Sequence, residues 1–176
     1  MKTGVAVTLA AISLLLGMGV GFAAKEKGPG IEIMRGKPPK EAGIAALQEA
    51  QKLAGSSSWD LIAVGRAYYL SGDKAKGQEL IDQVVNAKPK ASDWQRIGQL
   101  YAEAGEQAKA EDAYQKLLAA DPKDESSQAE IGAWYIRIGQ RDKGEELLAR
   151  AFARNPNEVW YYVRAGESYL GAPAGR

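Results

Sequence analysis

Gly65, Gly98, Gly132 and Gly166 stand 33, 34 and 34 residues apart, and each is followed three residues later by a tyrosine: Tyr68, Tyr101, Tyr135 and Tyr169. A period kept this closely means the chain is assembled from copies of one supersecondary unit. The same register carries Gly72, Gly105 and Gly139, then the small residues Gly43, Gly77, Ala110 and Gly144, then Pro89, Pro122 and Pro156. The stretches GDKAKGQELI (72–81), GEQAKAEDAY (105–114) and GQRDKGEELL (139–148) are versions of one sequence.

Each mark has a physical reading. Apolar residues recur at helical spacing in paired segments of about 12 to 14 residues. The pairs are split at Gly72, Gly105 and Gly139, where glycine accepts the left-handed backbone that ends a helix. Each unit is therefore a helical hairpin. Gly65, Gly98, Gly132 and Gly166 fall inside first helices, at a cost of about 1 kcal/mol each relative to alanine. A cost repeated four times implies a packing reason, and close approach of a second helix at Gly77, Ala110 and Gly144 supplies one. The tyrosines, with Ile81, Tyr114 and Leu148, then fill the space between helices, and the prolines stop each second helix.

With Trp94, Ile97, Gly98 and Tyr101 as the fullest single copy, residues 40–171 resemble the tetratricopeptide repeat family. The resemblance implies an all-α, right-handed superhelical solenoid with full repeats at 58–90, 91–124 and 125–158. Residues 40–54 read as the second helix of a preceding unit whose first helix is replaced by a Gly/Pro-rich arm, residues 24–39. The arm is expected to be mobile in the isolated protein, or to fold onto a partner through the alternation of Ile31 and Ile33. Residues 159–171 read as a first helix with no second helix after it, followed by a tail, 172–176. Because one hairpin cannot bury its apolar face alone, three repeats are near the minimum for a stable stack, and the flanking helices are expected to cap it.

The amino-terminal segment has a different character. Lys2 is followed by uncharged residues from Thr3 to Ala24, most apolar from Leu9 to Met18, and then by Lys25, Glu26 and Lys27. This is the layout of a secretory signal peptide, residues 1–23, with cleavage expected after Ala23 between small residues. The alternative is an uncleaved inner-membrane anchor over residues 3–24, since roughly 20 uncharged residues can span a bilayer. Either way the expected location is the periplasm or its membrane boundary.

Composition narrows the chemistry. The chain has no cysteine and no histidine, which removes disulfides, thiol nucleophiles, histidine acid–base catalysis and the common zinc sites. Beyond Lys2 the 22 basic side chains match the 22 acidic ones, so there is no overall electrostatic footprint for nucleic acid. Ser56, Ser57 and Ser58 lack a base and read as a loop and helix N-cap. The glycines of GPG (28–30) lack the lysine and hydroxyl residue of a phosphate loop. The pairs Glu111 with Asp112 and Glu145 with Glu146 read as solvated outer faces beside lysines. No catalytic, metal or cofactor site is expected, and the chain does not read as an enzyme.

A repeat solenoid offers a surface instead, because first helices line its concave side. In this register the groove positions are Trp59, Ile62, Arg66 and Tyr69, then Gln95 and Gln99, then Ala129, Ala133, Ile136 and Arg137, then Trp160, Val163 and Glu167. Such a groove suits an extended or helical peptide held by the glutamines and by Trp59 and Tyr69. The alternative is that Trp59 and Tyr69 merely cover the stack edge against residues 40–54. The tetratricopeptide clamps that hold a terminal carboxylate gather cationic and amide side chains in the groove, whereas here Ile62, Gln95, Gln99, Ala129 and Ala133 occupy the comparable sites with only Arg66 cationic, so such a clamp is not expected. The last helix, with Tyr161, Tyr162 and Tyr169 around it, is expected to contact a partner or a second copy, unless the GAPAGR tail folds back over it. The implied function is a non-catalytic protein-binding adaptor of a bacterial cell envelope; a self-assembling scaffold or an accessory subunit of an envelope enzyme are the alternatives.

Overall fold

The computed structural model describes residues 28–172. The segment read as a signal peptide and the end of the tail lie outside the described residues. Within them are a short 3-10 helix, Gly30–Ile33, and eight α-helices: α1 Pro39–Ala54, α2 Ser58–Leu70, α3 Lys74–Asn86, α4 Ala91–Glu103, α5 Gln107–Ala120, α6 Glu125–Arg137, α7 Arg141–Arg154 and α8 Val159–Tyr169. None of these is long and apolar enough to cross a membrane. The helices pair as α2 with α3, α4 with α5 and α6 with α7, while α1 packs on α2 and α8 on α6.

Local chemistry sets the helix ends. Ser57, Asp73, Asp124 and Glu158 each accept a backbone N–H from the first turn that follows, at 3.0 to 3.4 Å. Asp93, itself buried, reaches back to the backbone N–H of Lys90 at 3.0 Å. At the hairpin turns Gly105 and Gly139 adopt φ of 72° and 83°, and the next residue's N–H closes on the helix: Glu106 to Tyr101 O and Gln140 to Tyr135 O, both at 2.8 Å.

The glycine contacts are backbone on backbone. A Cβ on Gly77 would lie 2.7 Å from the carbonyl oxygen of Gly65, and one on Gly132 would lie 2.8 Å from that of Gly144. In the central hairpin the ring of Tyr114 fills the space beside Gly98, and Ala110 takes the facing position. One apolar core runs from Ala54 through Leu80, Ile97, Leu100 and Ile131 to Leu147. A smaller cluster of Ala129, Leu148, Ala151 and Tyr161 joins α6 and α7 to α8.

Part of the arm has local helical structure. Residues 30–33 make a turn of 3-10 helix, with Arg35 paired to Glu32 at 3.0 Å. Ile31 is exposed, while Ile33 and Met34 are half-buried.

Candidate partner-binding groove

Repeating units carry a repeating polar tie. The hydroxyl of Tyr101 donates to Gln78 Oε1 at 3.0 Å, that of Tyr135 to Glu111 Oε1 at 3.1 Å, and that of Tyr169 to Glu145 Oε1 at 2.6 Å. Each acceptor is the residue after the small position on the preceding second helix: Gly77, Ala110 or Gly144. Glu111 and Glu145 are therefore more than a solvated face, since they join successive repeats. Lys143 and Tyr135 hold the Glu111 carboxyl below the ordinary glutamate range, with the lysine contributing most. Tyr169 and Arg141 do the same for Glu145. At the first position Ile44 takes the acceptor's place, so Tyr68 has no such partner there. A recess of about 1060 Å³ opens at this break, between α1 and the α2–α3 turn.

The concave side holds a second cavity, of about 510 Å³, between α2, α4, α6 and α8. Ile62, Ala63, Ala102 and Tyr114 are among its lining residues. Arg66, Arg96, Arg137 and Arg164 line it, against Glu103 and Glu130. Both glutamates are engaged. Arg66 pairs with Glu103, and Gln95 and Gln99 donate Nε2 to the two oxygens of Glu130, each at 2.7 Å. Arg137 is half-buried, and its Nη1 is sealed from solvent with no hydrogen-bond partner. Burial pulls its pKa down from the ordinary arginine value, as it does for Arg96. Arg164 pairs with Glu167 at 3.6 Å.

The positions expected in the groove divide into three groups. Arg66, Gln99 and Arg137 line the cavity, Gln95 stands beside it on Glu130, and Ile62 lines it with 2% of its surface exposed. Trp59 is exposed and meets the cavity only through Arg96, whose guanidinium stacks on its ring. Tyr69 does not face the groove. It is buried against Gly77, makes an edge contact with Tyr101 at 5.8 Å and accepts from Lys109 Nζ at 3.1 Å. Ala129 and Ala133 are also buried, and Ile136 is half-buried in the cluster that joins α8, because short side chains on α6 let α8 close over it. Val163 is half-buried and Trp160 exposed on α8. The expected free glutamine amides are corrected as well, since both already bind Glu130.

On the last helix Tyr161 is buried beside Phe152 at 5.8 Å, so it is a core residue and not a contact surface. Tyr162 stays 59% exposed while stacking on Phe152 at 4.7 Å and donating to Pro156 O at 3.0 Å. Tyr169 is 49% exposed beyond its bond to Glu145. Sequence reasoning missed Arg96 and Arg164. Their signal was present, because Arg96 and Arg164 are two repeat periods apart at one register position, with Glu130 between them. The expectation that Arg66 alone supplies positive charge beside the clamp-type sites is corrected, because Arg96, Arg137 and Arg164 line the same cavity. Among the described residues no group of three or more acidic side chains is placed to hold a metal ion.

Comparison with known proteins agrees with this architecture. The family model of the tetratricopeptide repeat matches residues 94–124. No curated protein sequence matches the chain. Two solved structures, described as crystal structures of MamA and of MamA protein, are each 21% identical with a TM-score of 0.54. The first alignment covers 75% of this chain and 80% of that one, the second 80% and 79%. At this identity the likeness is one of fold. Hairpins repeating every 33 or 34 residues, with the family's own pattern matched at residues 94–124, give this chain an architecture of tetratricopeptide repeats.

Proposed function

We propose that the chain is a non-catalytic adaptor whose concave groove captures an acidic segment of another protein. The observation that carries this is Arg137. A guanidinium nitrogen buried without a partner leaves an unmet hydrogen bond, and a carboxylate that enters the cavity and displaces the side chains covering that nitrogen would satisfy it with a charge-assisted bond. Around it Glu103 and Glu130 are occupied and Glu167 pairs with Arg164, so an incoming acidic group meets four arginines against three glutamates. Trp59, stacked on Arg96, offers an aromatic rim for the segment's apolar side chains.

The sequence of residues 1–23 supports an exported protein, and the proposal places the adaptor in a bacterial cell envelope. Mass spectrometry of the native protein tests that part, with a chain beginning at Ala24 expected and an intact amino terminus counting for the anchored alternative. The groove is tested by fluorescence anisotropy with a labelled Asp/Glu-rich peptide and its Asn/Gln counterpart. The acidic peptide should bind at least about tenfold more tightly, with affinity falling as salt rises. Arg137→Met should remove the preference while keeping the helices. Equal binding of the two peptides, or a preference that survives Arg137→Met, would overturn the reading.

A further inference from the structure

The described chain carries three complete hairpins and two halves. α1 is a second helix without a first, and α8 is a first helix without a second. In the outer complete hairpins the glycines of facing helices touch: Gly65 lies on Gly77 and Gly132 on Gly144. The repeat period puts Gly43 of α1 at the position of Gly77 and Gly144, and Gly166 of α8 at that of Gly65 and Gly132. Nothing lies within 4 Å of a Cβ added at either. Each half repeat therefore keeps the glycine that a close helix contact requires, and among the described residues neither has the helix that makes it.

The side chains around these glycines are complementary. On α8, Val159, Tyr162, Tyr169 and Leu170 share the Gly166 face at helical spacing, and they are 67%, 59%, 49% and 85% exposed. The corresponding face of α6 is covered by α7, with Ile136 against Gly144. On α1 the matching face is smaller at two of three positions: Ala46, Leu47 and Ala50 stand where α3 has Leu80, Ile81 and Val84, and Leu47 and Ala50 also pack on the chain's own core. Those three of α3 are at most 2% exposed, whereas all three of α1 are only half-buried. Large residues on α8 thus match an α1 face with alanine at two of three positions, and large against small is how facing positions interdigitate in a packed helix pair.

We infer that α8 of one copy docks on α1 of the next, so that two half repeats complete a hairpin between chains. The occupant is a second copy because the missing half of each surface is carried by this same chain in the same register, with its glycine in place. The contact joins different surfaces of the two copies, so it propagates head to tail into a series or a ring rather than stopping at a symmetric dimer. It is separate from the concave groove and does not depend on the adaptor reading.

Sedimentation velocity of the full chain from micromolar to hundreds of micromolar tests this, with Gly43→Leu and Gly166→Leu as variants. A Cβ at either position meets no described atom within 4 Å, so both variants should melt no lower than wild type, and a thermal melt of each separates blocking from unfolding. Wild type should form a concentration-dependent series. Each variant should weaken self-association about tenfold or more, since overpacking a tight helix contact is costly. Mixed together, the two variants should form a one-to-one dimer and stop, because each retains the end the other lacks. Arg137→Met should associate like wild type. A monomeric wild type at every concentration would overturn the inference and would mean that both faces stay open or are covered by residues of the same chain. A dimer lost only in Gly166→Leu would also overturn it, in favour of α8 on α8, as would a mixture that fails to pair.

Discussion

Glu111 of α5 accepts the hydroxyl of Tyr135 on α6 at 3.1 Å and, through the same oxygen, the ammonium of Lys143 on α7 at 3.0 Å. One side chain thus ties together three consecutive helices across a repeat boundary, where much of the packing is otherwise between the helices of a hairpin. The tie predicts energetic coupling. Tyr135→Phe and Glu111→Gln should each lower stability, and the double variant should lose less than the sum. A coupling of about 0.5 to 1.5 kcal/mol is expected for a partly solvated hydrogen bond. Urea denaturation of the four proteins measures it, and strict additivity would mean that the bond contributes nothing in solution.

The same tyrosine predicts an alkaline limit. Burial, together with the Glu111 carboxylate it bonds, pushes Tyr135 up to about 12 from an ordinary value of 10.0. Burial also raises Tyr114. Below the unfolded value both states hold the proton. As pH rises past it the unfolded chain loses protons that the folded chain retains, so stability falls until the folded tyrosines titrate. Denaturation midpoints should be level below about pH 9 and decline between about pH 10 and pH 12. In Tyr135→Phe the decline should be shallower, whereas an unchanged slope would mean that this tyrosine titrates normally in the fold.

Gly132 and Gly166 occupy the same register position and should respond to alanine in opposite directions. A methyl at Gly132 meets the carbonyl oxygen of Gly144 at 2.8 Å and the side chains of Leu147 and Leu148 just beyond it. The carbonyl can yield only if α7 moves, at a cost of about 1 to 3 kcal/mol. Gly166→Ala meets nothing and should gain up to about 1 kcal/mol from helix propensity. Thermal melts at low protein concentration compare the two. Equal shifts would place Gly132 and Gly166 in the same environment.

What the sequence made legible was the geometry set by the period. Gly98 and Tyr101 mark first helices, Gly105 and Gly139 mark turns, and small residues such as Gly77 mark crossings, because each role admits few residue types. The groove was less legible. A first helix has three covered or open sides, and spacing alone does not say which is which. Tyr69 lies at helical spacing from Trp59, yet it is buried on the hairpin side because Gly77 leaves room for it. Ala129 and Ala133 were read as groove walls, but small side chains there let α8 close over α6. Pairings across repeats, such as those of Glu130 with Gln95 and Gln99, depend on rotamers that no sequence pattern fixes.

That Glu130 arrangement predicts a reversible bias in the groove. Two amides draw its carboxylate toward α4, and its charge still acts on Arg137. Gln95→Ala with Gln99→Ala frees the carboxylate to turn toward Arg137, where it would occupy the bond that an incoming acidic segment needs. Affinity for the acidic peptide should then fall about threefold to tenfold at low salt, an effect that shrinks as ionic strength rises. Glu130→Gln should act in the opposite direction, because it removes a negative charge from the cavity while leaving its shape. Anisotropy titrations of the variants against the same peptide read both shifts. If the two changes move affinity in the same direction, the glutamines hold the helices together and do not restrain the charge.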